Sequence, residues 1–116
     1  MDADKRYYTR YKISLEGRVA TERGVTFPVE IVDISAEGAR LKTDFQISLI
    51  EGDCINLVIK WRSSIKAKAE VRWVRKEKLF TELGIRFTEI DMANREALSS
   101  LISEIALAEL SDLYIR

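Results

Sequence analysis

From Tyr11 onward the chain alternates. Ile13, Leu15, Gly17 and Val19 fall on one side, and Lys12, Ser14, Glu16 and Arg18 on the other. That period of two predicts a strand with one buried face. Glu22-Arg23-Gly24 supplies a turn, and residues 25–32 read as a second strand in which Pro28 predicts an edge or a bulge. A third strand, residues 39–43, follows a turn at Gly38. Glu51-Gly52-Asp53 precedes a fourth, residues 54–61, where Ile55, Leu57, Ile59 and Trp61 alternate. In a fifth, introduced by Ser63, the residues Ile65, Ala67, Ala69, Val71 and Trp73 share one face. Lys66, Lys68, Glu70 and Arg72 take the other. A sixth runs from about Leu79 to Phe87, with Leu83, Ile85 and Phe87 on one side.

The period then changes. Asp91 is a good N-cap, and neither Gly nor Pro occurs from there to Arg116, so a helix is predicted over about 91–115. Leu98, Leu101, Ile102 and Ile105 recur at helical spacing and define a core-facing stripe. Ala106, Leu107, Leu110, Leu113 and Tyr114 spread onto an adjacent face. Two readings of that face stand side by side: a partner helix in a homodimer, or a terminal helix that frays beyond about Leu110. Six short strands and one helix predict an all-β fold with a C-terminal helix: a six-stranded antiparallel β-barrel capped by a long α-helix. Residues 1–10, polar and aromatic without periodicity, read as a flexible N-terminal arm, and residues 11–116 as the barrel with its helix.

Composition narrows the function. A chain of 116 residues has room for one domain with a real core. Nineteen basic and nineteen acidic residues give no net charge, so general electrostatics offer no case for nucleic acid or a membrane surface. No apolar run reaches bilayer length and the N-terminus lacks a signal-like apolar stretch, which gives the expectation of a cytoplasmic domain without membrane insertion. The single cysteine, Cys54, excludes an internal disulfide and reads by default as a buried, inert thiol. Absence of histidine removes the commonest general base and metal ligand, so neither an enzyme nor a metal or cofactor site is expected.

Two clusters carry the chemistry. Arg6-Tyr7-Tyr8-Thr9-Arg10 places two guanidiniums close together on the arm, and Asp33-Ile34-Ser35-Ala36-Glu37-Gly38 ends a strand with a carboxylate, a hydroxyl and a glycine turn. Guanidiniums suit phosphates and purine edges, while Asp and Ser accept from purine N–H groups. Taken singly, the arginines read as solvated surface and Asp33, Ser35 and Gly38 as turn chemistry. Together they suit an anionic guanine nucleotide.

The order of these features resembles the PilZ domain, the bacterial receptor module for cyclic di-GMP. Its Arg-x-x-x-Arg motif matches Arg6 and Arg10, its Asp/Asn-x-Ser-x-x-Gly motif matches Asp33, Ser35 and Gly38, and Gly-Ile-Arg-Phe falls in the last strand. The resemblance implies that Arg6 and Arg10 clamp phosphate and the O6/N7 edge of guanine. It further implies that Asp33 accepts from guanine N1–H and N2–H₂, that Ser35 contacts base or phosphate, and that Gly38 brings backbone N–H groups close. Lys5, Trp73 and Arg86 resemble family positions that line the site. Trp73 reads equally as core or barrel rim, and Tyr7 and Tyr8 as ligand contacts or as staples of the arm. Alternation points Arg86 outward. The expected mechanism is binding: the arm folds over the nucleotide and alters a surface read by a downstream protein. The rival is a PilZ-like adaptor of pilus or motility machinery that binds no nucleotide. A small nucleic-acid-binding barrel fits the strand count but not the charge.

Overall fold

The computed structural model describes residues 9–115, with side chains described through residue 109. Six strands run β1 (Tyr11–Thr21), β2 (Thr26–Ile34), β3 (Gly38–Thr43), β4 (Cys54–Trp61), β5 (Ser63–Lys76) and β6 (Thr81–Glu89), followed by α1 (Met92–Ile115). They close into one antiparallel barrel in the order β1-β2-β3-β6-β5-β4. Closure pairs both sides of the sheet and leaves no long open edge. Pro28 fits because β2 pairs with β3 only from Glu30 onward, so its missing N–H falls where no ladder partner stands. Its carbonyl accepts from the Thr43 hydroxyl at 3.0 Å.

Alternation fills the interior. Val19, Phe27, Ile31, Leu41, Leu57, Ile59, Ile65, Val71 and Leu83 are buried. Leu98 and Leu101 on α1 close one end, with Ile102 and Ile105 packed behind them. Asp91 caps that helix as expected, its Oδ1 accepting from the Asn94 N–H at 2.9 Å. This bond and the Asn94 side chain hold the Asp91 carboxyl below its ordinary 3.8. Asn94 also accepts from the Lys66 N–H at 2.8 Å, pinning the helix start to β5. Leu107 is 63% exposed; the side chains of Leu110, Leu113 and Tyr114 lie outside those described.

Three sequence expectations change. Cys54 is exposed, because Ile55, Leu57 and Ile59 claim the inward positions of β4 and leave it facing out. Trp73 does not share the face of Ile65–Val71. The β5–β6 register passes from Val71↔Ile85 to Trp73↔Gly84, so Arg72 is an extra residue and Trp73 turns outward, 40% exposed. Gly38, placed at a turn by the sequence, is instead the first residue of β3, and among the described glycines only Gly24 and Gly52 have positive φ.

Candidate functional site

The β2–β3 turn, the outer faces of β3, β6 and β5, and the start of β1 meet at the helix-bearing end of the barrel. A second bulge delivers Asp33 there. Phe27, Val29 and Ile31 point inward, and strict alternation would send Asp33 in as well. The register instead steps from Ile31↔Leu41 to Asp33↔Arg40, so Val32 is the extra residue and Asp33 faces out.

Ser35 is spent on the turn. Its hydroxyl, in a residue 1% exposed, accepts from the N–H groups of Glu37 (3.1 Å) and Gly38 (3.2 Å). Its own N–H donates to the Gly38 carbonyl at 2.8 Å, and the Phe87 N–H donates to the Glu37 carbonyl at 2.8 Å. The Ser35 hydroxyl therefore closes the loop on itself and does not open onto the surface, while the Glu37 carbonyl ties the loop to β6. Gly38 serves close approach: a Cβ there would lie 2.1 Å from the Ile85 carbonyl oxygen.

Above this turn lies an open pocket of about 420 Å³. Its floor is the backbone of Gly38 and Ala39 on β3 and Gly84 and Ile85 on β6, and Trp73 forms a wall. The indole lies across Gly84, where an added Cβ would sit 2.1 Å from its Nε1. Three guanidiniums surround the opening: Arg10, Arg72 and Arg86. Arg86 reaches Glu70 at 3.3 Å and Arg72 the same carboxylate at 3.9 Å, both partly exposed, while Glu37 is the one acid on the lining. The arrangement is an anion receptor with an aromatic wall.

Asp33 stands behind Arg10. It is 9% exposed and takes the Arg10 guanidinium on Oδ1 at 2.8 Å and Arg40 on Oδ2 at 3.0 Å. Glu82, 8% exposed, repeats the motif one step on: it receives Arg75 directly, with Arg40 Nη1 at 3.9 Å.

The structure thus brings Arg10, Gly38, Trp73 and Arg86 onto one pocket, with Asp33 and Ser35 directly behind it. Arg6, Lys5, Tyr7 and Tyr8 lie outside the described residues. Sequence reading missed Arg40, Arg72 and the role of Gly84. Arg40 was within reach, because a short turn after Asp33 sets the two residues opposite each other on adjacent strands. Among the described residues no group of three or more acidic, His or Cys side chains is placed to hold a metal.

Comparison with known proteins gives a consistent fold. A family model described as PilZ domain matches residues 4–104. The c-di-GMP-bound PilZ domain of YcgR from Escherichia coli matches at TM-score 0.76 and 14% identity, over 94% of this chain and 97% of that one. The inhibitor of motility MotI/DgrA of Bacillus subtilis matches at 0.75 and 19% identity, over 92% and 52%. The MrkH–c-di-GMP complex of K. pneumonia matches at 0.75 and 15%, over 90% and 53%. The chain thus spans about half the length of MotI and MrkH. A search of curated proteins by sequence finds no match.

Proposed function

The chain belongs to the PilZ domain family, and on that premise we propose that it is a receptor for cyclic di-GMP that acts by binding and not by catalysis. One observation carries this reading: three guanidiniums ring a pocket whose floor is backbone at two glycines and whose wall is an indole. Each part answers a part of the ligand. Guanidinium pairs match phosphate oxygens or the guanine O6/N7 edge, and a flat indole offers a stacking face. Arg10 and Arg6 of the arm take phosphate and guanine edge, while Arg86, Trp73 and Lys5 line the site. Asp33 accepts from the guanine N–H groups once Arg10 is drawn forward. Ser35 and Gly38 act by holding the loop.

The relay is the ordering of residues 1–10 over the nucleotide, which changes a surface read by a protein effector in the cytoplasm. Leu107 exposes an apolar helix face on which a second copy of the chain docks to form a dimer.

Calorimetric titration with cyclic di-GMP tests the receptor. Wild type gives saturable heat, and Arg10→Ala weakens affinity by about 10–100-fold, the effect of losing one charged hydrogen bond. Absence of heat in the wild type would overturn the receptor and favour the nucleotide-free adaptor. Amide exchange on residues 1–10 reads the relay, and equal protection with and without nucleotide rules it out. For the dimer, Leu107→Glu lowers the solution mass if helices pair there.

A further inference from the structure

Among the described residues, the Nε of Arg40 is the single buried side-chain polar atom with no hydrogen bond. It lies 3.0 Å from Asp33 Oδ2, close enough for an ion pair, yet off the line a hydrogen bond requires. A buried donor left unmet calls for a reason. The reason lies in how Asp33 is shared. Its Oδ1 is engaged by Arg10, whose side chain is 39% exposed, while its Oδ2 faces Arg40 Nε without aligning to it.

Arg10 is also the guanidinium on the pocket rim. A phosphate in that pocket draws Arg10 away from Asp33. Asp33, with a side chain only 12% exposed, would then be a nearly buried anion stripped of its cation, which is strongly unfavourable. Arg40 prevents this. Its Nη1 also lies 3.9 Å from Glu82, which Arg75 holds, so it keeps a second anion beside it when Arg10 moves.

We propose that Arg40 is a positioning residue that keeps Asp33 compensated while Arg10 transfers from carboxylate to ligand phosphate. On release of Arg10 the carboxylate turns onto Arg40 Nε, the idle donor gains its hydrogen bond, and Oδ1 is freed toward the pocket. Arg40 touches no ligand atom in this scheme. Its contribution exists only because Asp33 is charged. The inference rests on the receptor reading above, and it adds a residue that neither motif contains.

The test is a double-mutant cycle read by calorimetric titration with cyclic di-GMP. Arg40→Met in the wild type weakens affinity by about tenfold. In an Asp33→Asn background, where no charge can be stranded, the same substitution changes affinity by less than about twofold. Arg40→Lys keeps the cation and restores affinity to within about threefold of wild type, which also covers the case in which Arg40→Met folds poorly. Equal losses from Arg40→Met in both backgrounds, or no loss in either, overturn the role of Arg40 while leaving the receptor intact. A wild type that takes up no nucleotide overturns the receptor reading and this role with it.

Discussion

Strands β4 and β5 start alike and end differently. Along β4 the alternation never breaks: Ile55, Leu57 and Ile59 point in, and all eight residues pair with β5 without a shift. Strand β5 alternates as far as Val71, then inserts Arg72 and swings Trp73 to the outside. Strand β2 does the same at Val32 and swings out Asp33. Regular alternation builds wall. The two interruptions, on strands that flank the β3–β6 pair, build the candidate site on the outside of that wall.

The comparison can be broken from either side. The largest effect falls on the regular half: Leu57→Ala leaves a void in the barrel centre and costs about 2–5 kcal/mol of unfolding free energy in denaturant titration, with affinity for cyclic di-GMP of the folded protein little changed. A loss of affinity matching the loss of stability would mean that wall and site are not separable. Gly84→Ala acts on the irregular half. The new Cβ displaces the Trp73 indole, an exposed and movable group, so the stability loss stays at about 1 kcal/mol or less. Tryptophan emission shifts and ligand binding weakens severalfold. Unchanged emission would mean that the indole does not depend on the gap at Gly84. The smallest effect belongs to the helix that caps the wall. Since the folded state holds the Asp91 carboxyl below 3.8, its stabilisation is complete above that value and fades as pH falls through the lowered one. The difference in melting temperature between wild type and Asp91→Asn should therefore be flat near neutrality and shift only in strong acid.

The two halves were not equally legible in the sequence. All six strands and the helix follow from where the period is two and where it is 3.6, and a closed barrel follows from their number and order. What hid was every feature that depends on a break in the period. A bulge has no residue signature, so Trp73 reads as one more inward position after Val71. Arg40 and Arg72 look like ordinary outward charges until register sets one opposite Asp33 and the other beside the pocket. Gly84 stands inside a quoted motif, but only the crossing indole explains the missing side chain. Residue type alone makes Ser35 a candidate ligand contact, and only the folded loop shows its hydroxyl accepting from two of the loop's own backbone N–H groups.

The outward turn of Cys54 has a practical consequence. Cys54 sits opposite Glu70 on β5, which sits opposite Arg86 on β6, so the chain's only thiol shares a lateral row with the pocket rim. Two strand spacings separate them, about 10 Å. An environment-sensitive dye coupled there would report from just outside the pocket, on the unaltered sequence, whether any given small molecule has arrived.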